Sequence, residues 1–265
     1  MNSTVKPYNP ALLRSLALIL LFIVSVFTPG AARAAEKKIT VAAASDLTFA
    51  LKEIAAGYEK ATGTKVVLSF GSTGMFAKQI REGAPFDIFF AADVRYIEGL
   101  NKDGLMLSDT VAPYAQGRIV LAVNKASGIK AAGLQDLLKP EITHIAIANP
   151  DHAPYGKAAM EALKAKGLWE GLKSKLVYGE NIRSTLQYIQ TGNAQAGIIA
   201  LSVADVSEIT YTPIDPALHN PINQAAGVVK ATRDADTARD FLKYVNGKDG
   251  RLIMKKYGFT LPGEF

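Results

Sequence analysis

Residues 39–47 read Ile39-Thr40-Val41-Ala42-Ala43-Ala44-Ser45-Asp46-Leu47, a short β-branched run that gives way to small residues and then to two loop-favouring side chains. The composition of 39–43 is that of a strand. The next stretch is helical: Leu47, Leu51, Ile54, Ala55 and Tyr58 recur at three- and four-residue spacing and line one face, and Gly63 is placed to close the helix as its C-cap. A strand feeding a helix through a tight turn is the unit from which parallel α/β sheets are built.

The unit repeats outward from there. A strand over 65–70 leads through Gly71-Ser72-Thr73-Gly74 into a helix carrying Phe76 and Ile80, and a strand over 87–91 precedes a helix over 94–100. A second block opens with a strand at 118–123. It continues with a strand at 144–148, a helix at 155–166, a strand at 175–178, a helix at 182–191 and a strand at 194–200. A strand around Gly227-Val228-Val229, a helix over 237–245 and a terminal helix ending near Tyr257-Gly258 complete the chain. No repeat, low-complexity tract or flexible linker separates the blocks, so they are expected to interleave. The expected fold is α/β with two lobes, each a mixed sheet flanked by helices: residues 35–117 and 230–265 form lobe 1, 118–229 form an inserted lobe 2, and two strands cross a hinge.

Length and composition agree with this, because 265 residues, 49% hydrophobic and 20% charged, suffice for one large core or two modest ones. At the N-terminus Lys6 and Arg14 accompany an apolar run over 16–27, followed by Pro29-Gly30 and the A-x-A triplet Ala32-Arg33-Ala34. This is the pattern of a cleaved secretory signal over 1–34, its apolar run shorter than the about 20 residues of a spanning helix. The chain has no cysteine and so no site for a lipoprotein anchor. A freely diffusing protein of a Gram-negative periplasm is therefore expected. Of the net charge of +6, Lys6, Arg14 and Arg33 leave with the signal. With no basic cluster interleaved with aromatics, nucleic acid is excluded as a partner. Three histidines and no cysteine leave no ligand set at zinc-like spacing, and no cofactor is expected.

Four strands end in turns of one kind: Ala44-Ser45-Asp46, Gly71-Ser72-Thr73-Gly74, Ala153-Pro154-Tyr155-Gly156 and Glu180-Asn181-Ile182-Arg183. A helix start presents unpaired N–H donors and about half a positive charge, which suits an anion. Singly, each such turn is more often an ordinary N-cap. Open α/β sheets bind ligands beyond the carboxyl ends of their strands, however, and two of these turns fall in each lobe.

The chain resembles the periplasmic molybdate-binding proteins of the type II substrate-binding fold. The marks are the 39–47 stretch, the segment 70–80, the run from Gly83-Ala84-Pro85-Phe86-Asp87 to Ala92-Asp93, the segment 149–156, and the ending Lys256-Tyr257-Gly258-Phe259-Thr260. The resemblance implies capture of molybdate, or of the similarly sized tungstate, for the membrane permease of an ABC importer, by a monomer that is not an enzyme. It implies that molybdate is held as an oxyanion through Ser45 and Thr73, by hydroxyl and N–H, and through the N–H groups of Tyr155 and Ile182, with Asp46 adding an N–H. Ser72 exchanges with Thr73 if the match slips by one residue. Some members place a tyrosine hydroxyl where this chain has Ala200, so the donor set differs here, with Asn181 or the Asp46 N–H as substitutes.

Neutral donors suit such a ligand. Molybdate is an unprotonated dianion at neutral pH, and hydrogen bonds to a charged group contribute about 1.5–3 kcal/mol each without burying an ammonium. Three other readings carry less. Ser45, Asp46, His152 and Tyr155 can be assembled on paper into a nucleophile and base, but no nucleophile elbow is present and His152 reads as a solvent-exposed loop residue. The turn at Gly71 lacks the Lys-Ser/Thr ending of a phosphate loop. A sulfate- or phosphate-binding protein of the same fold is the serious alternative. Arg183 opposes a helix dipole and is expected either to pair with Glu180 or another acid, or to attract the anion from a distance. Trp169 reads as core. The Asp46 carboxylate would repel a dianion at contact distance, so it is expected to turn away and cap its own helix.

Overall fold

The computed structural model describes residues 1–4 and 37–265. Apart from its first four residues, the expected signal segment lies outside the described residues. The chain runs β1 (Lys38–Ala44), a 3-10 turn at Ser45–Leu47, α1 (Thr48–Thr62), β2 (Lys65–Gly71), α2 (Thr73–Arg81), β3 (Ile88–Ala91), α3 (Val94–Lys102), β4 (Ala112–Gly117) and β5 (Ile119–Asn124). It continues with β6 (Ile145–Ala148), α4 (Pro154–Ala165), α5 (Trp169–Leu172), β7 (Leu176–Gly179), α6 (Ile182–Gln190), β8 (Ala196–Ala200), β9 (Ile209–Pro213), β10 (Ile222–Val228), α7 (Ala235–Val245) and α8 (Lys248–Lys256).

The strands form two five-stranded mixed sheets, β2-β1-β3-β10-β4 and β7-β6-β8-β5-β9. In the first, β1 pairs in parallel with β2 and β3, and β10 runs antiparallel between β3 and β4. The second repeats the scheme: β6 is parallel to β7 and β8, and β5 runs antiparallel between β8 and β9. Both sheets belong to the one compact unit Lys37–Phe265.

The first sheet is covered on both faces, which explains its unbroken apolar strands. Along β3, Ile88 and Phe90 face the core shared with α1 and α7, while Phe89 and Ala91 face the core shared with α2 and α3. Leu51, Ile54, Ala55 and Tyr58 of α1 join the first of these cores, as their spacing requires. Gly63 ends α1 at φ 71°, with its N–H on the Glu59 carbonyl. A third core fills the second lobe, where Trp169 is buried.

One boundary is corrected. The second crossing between lobes falls before Ile222 rather than near 230, because β10 belongs to the first sheet, where Gly227 pairs with Phe89. Asn223, Gln224 and Gly227 interrupt the apolar signal of this strand, leaving only its end legible in the sequence. Two further strands, β4 and β9, are additions. Both are edge strands in which Pro113 and Pro213 are tolerated because one side of an edge carries no ladder bond.

Candidate oxyanion site

All four turns converge on one cavity between the lobes. It is lined by Ala44, Ser45, Asp46, Gly71, Ser72, Thr73, Ala92, Ala153, Pro154, Tyr155, Asn181 and Ile182. The cavity volume is ≈ 10 Å³, about one water-sized sphere and far below the about 300–1,000 Å³ of pockets for drug-sized organic ligands. A larger open depression beside Lys130 and Lys139 contains none of the turns. No lysine, arginine or histidine lines the cavity, and among the described residues no group of three His, Asp or Glu side chains could hold a metal ion.

The donors left free can be counted at each turn. Ser72 caps α2, its hydroxyl accepting from the Met75 N–H at 3.4 Å, while the His152 carbonyl takes the Gly74 N–H at 2.9 Å. The N–H groups of Ser72 and Thr73 are thus the ones of this turn left without an acceptor among the described residues. The Thr73 hydroxyl accepts from the Ala92 N–H at 3.0 Å, which leaves its proton for another acceptor. In α6, Asn181 Oδ1 accepts from the N–H groups of Arg183 and Ser184 at 2.9 and 3.2 Å. That of Ile182 remains. In α4, Pro154 occupies the first position, where its missing N–H costs nothing, and the Tyr155 N–H comes next. Ser45 follows β1 as the first residue of the 3-10 turn, and its hydroxyl is reached across the cleft by the Arg183 N–H at 3.4 Å. Ser45, Asp46, Ser72, Thr73, Tyr155 and Ile182 are all buried.

Three expectations change. The Asp46 carboxylate does not cap its own helix. Its Oδ2 accepts from the Tyr155 hydroxyl and from Gln224 Nε2, both at 2.9 Å, and so joins the two lobes. Oδ1 is buried without a hydrogen-bond partner. Asp46 lies inside a 3-10 turn rather than at a helix N-cap, and its Oδ2 is taken by donors from other elements. Burial raises the Asp46 pKa to about 7, against the lowering effect of the Gln224 and Tyr155 hydrogen bonds and of the nearby Asp46 and Leu47 N–H groups. Burial, and then the Asp46 charge, raise the Tyr155 and Tyr114 hydroxyls well above their usual range, so both remain donors.

His152 is half-buried rather than exposed, with Nδ1 2.8 Å from the Ser72 hydroxyl. This is a Ser–His contact, but no carboxylate orients the ring among the described residues, and Ser45 is not its partner. Arg183 is exposed and makes no ion pair with Glu180 among the described residues. Ala200 is buried at the end of β8 and offers no hydroxyl.

Sequence reasoning missed Gln224, Tyr114 and Gly117. Gln224 Oε1 accepts from the Tyr114 hydroxyl at 2.5 Å, and its Nε2 also donates to Tyr155 Oη at 2.8 Å. A fully buried glutamine inside a run of small apolar residues was the available signal.

Two α/β lobes closing on a small cavity lined by neutral donors define a binding protein for a solute. The chain belongs to the bacterial extracellular solute-binding proteins, whose family model matches residues 39–260. It is 40% identical over 237 residues to the molybdate-binding protein ModA of Azotobacter vinelandii, covering 87% of this chain and 92% of that one. Against the molybdate-binding protein ModA of Rhodobacter capsulatus it is 32% identical, over 95% of this chain and 98% of the relative. The solved periplasmic molybdate-binding protein of Azotobacter vinelandii superposes with a TM-score of 0.79 at 30% identity, covering 84% of this chain and 99% of that structure.

Proposed function

We propose that this protein captures one molybdate ion and presents it to the membrane permease of an ABC importer. The observation that carries the reading is the convergence of four helix starts, with no cation, on a single small cavity. The N–H groups of Thr73, Tyr155 and Ile182 and the hydroxyls of Ser45 and Thr73 supply donors to a ligand that offers only acceptors. The relatives named for molybdate support the choice of anion. Tungstate, nearly equal in size and charge, meets the same donors. The protein acts as an exported monomer outside the cytoplasm, a location that rests on the signal pattern of residues 1–34. Its role is binding rather than catalysis, a reading supported by membership of the solute-binding family.

Phosphate is the second reading, favoured by the open Asp46 Oδ1, since a protonated phosphate needs one acceptor. Titration calorimetry of the mature protein against molybdate, tungstate, sulfate and phosphate tests both. Heat with molybdate and tungstate alone is the expected result. Saturable binding of phosphate without molybdate would replace the proposal.

A further inference from the structure

Besides the Arg183 N–H on the Ser45 hydroxyl at 3.4 Å and the Ser202 hydroxyl on the Asp46 carbonyl at 2.8 Å, two contacts between the lobes close onto glycines, one on each flank of the cavity. On one flank His152, in the turn before α4, meets the start of α2: its carbonyl takes the Gly74 N–H at 2.9 Å and its Nδ1 lies 2.8 Å from the Ser72 hydroxyl. On the other, the Tyr155 hydroxyl of the second lobe enters the first, between Asp46 Oδ2 at 2.9 Å and Gln224 Nε2 at 2.8 Å.

Each contact depends on a glycine that has no conformational need to be one. Neither Gly74 nor Gly117 has a positive φ. A Cβ on Gly74 would lie 2.9 Å from the His152 carbonyl oxygen, and one on Gly117 would lie 2.0 Å from Tyr155 Oη. At both places the missing side chain makes room for the opposite lobe. Gly117 also pairs with Ile222 in the first sheet, where the two segments that link the lobes leave it. The hydroxyl therefore sits beside the segments that link the lobes.

We propose that these two protein–protein contacts, rather than the anion, fix how far the lobes close, so that Tyr155, Gly117, Gly74 and His152 select the oxyanion by size. The inference rests on the oxyanion reading of the cavity. Closed protein surfaces resist compression, so a gap set by such stops does not shrink around a smaller ion. An N–H···O bond is lost once the atoms part by a few tenths of an ångström beyond about 3.2 Å. An anion that is too small then forfeits donors on one lobe, each a loss of about tenfold to a hundredfold in affinity.

Two variants move the stops in opposite directions. Tyr155→Phe keeps the ring and the N–H but removes the hydroxyl stop. Gly74→Ala adds a methyl group against the His152 carbonyl, at a helix position where alanine is otherwise favourable. Titration calorimetry of the full mature chain with molybdate and with sulfate measures the affinity ratio. In Tyr155→Phe the preference for molybdate over sulfate should fall by at least about tenfold. In Gly74→Ala it should rise while both anions weaken. A ratio that stays unchanged in both variants, or moves the same way in both, overturns the proposal while the oxyanion reading stands. Wild-type protein binding neither anion would overturn both.

Discussion

Replacing Asp46 by asparagine should remove a pH dependence that few buried groups could produce. The carboxyl is buried between the lobes, and its pKa stands at about 7 against an ordinary 3.8. Between those values the folded protein holds a proton that the unfolded chain has released, so stability falls as pH rises from about 4 to 7 and is level above. A difference of about three units at about 1.4 kcal/mol each gives roughly 4 kcal/mol. That figure is an upper bound, because parting of the lobes admits water and relieves the desolvation that raises the pKa. Asparagine keeps an acceptor for the Tyr155 hydroxyl and has nothing to titrate. Urea unfolding of the anion-free protein at pH 5 and pH 8 measures the effect, read as the difference between wild type and Asp46→Asn. Groups shifted the other way, such as half-buried Asp136, lowered to about 2 by the Lys139 ammonium and the Ala132 and Gly133 N–H groups, are common to both proteins and cancel. Wild type should lose a few kcal/mol more than the variant over this range. Equal pH slopes would refute the account of Asp46 as a desolvated acid.

Ser45→Ala should weaken molybdate binding by about 1.5–3 kcal/mol in calorimetry, since one anion oxygen loses a donor in a desolvated site. Ile182→Pro removes the N–H at the first position of α6, which proline tolerates after an extended Asn181 at φ −155° and ψ 177°, and also trims a buried core side chain. Affinity should fall on a similar scale, about 1.5–3 kcal/mol, with helix content by circular dichroism retained. Phe90→Ala, emptying a fully buried site edge-on to Tyr114 at 5.2 Å, should cost about 3–5 kcal/mol of unfolding free energy. Small-angle scattering should show a smaller radius with molybdate than without, because an anion held by turns from both lobes favours the closed form. An unchanged radius would count against hinge closure.

The sequence was legible where local chemistry and periodicity coincide. The strand from Ile39, the apolar stripe of α1 and the four turns are each written in contiguous residues, and all four turns meet at the cavity. What could not be read is non-local. The partner of the Asp46 carboxyl depends on Tyr155 and Gln224, residues 109 and 178 positions away. His152 looked like an ordinary loop residue because its partners, Ser72 and Gly74, lie in the other lobe. β10 hid its lobe membership because a buried glutamine and a glycine broke its pattern, while β4 and β9 have the composition of edges.

The placement of β10 has a consequence for the order in which the molecule can be completed. This strand sits inside the first sheet, yet it is made only after the whole of the second lobe. Until residues 222–228 arrive, β3 has an open edge and β4 has no neighbour in the sheet. The second lobe is contiguous from Ile119 to Pro213 and can assemble without waiting. During synthesis or passage through a membrane, the first part of the chain to emerge is therefore the last to close, and β3 with its apolar residues is the stretch exposed to mispairing in the interval.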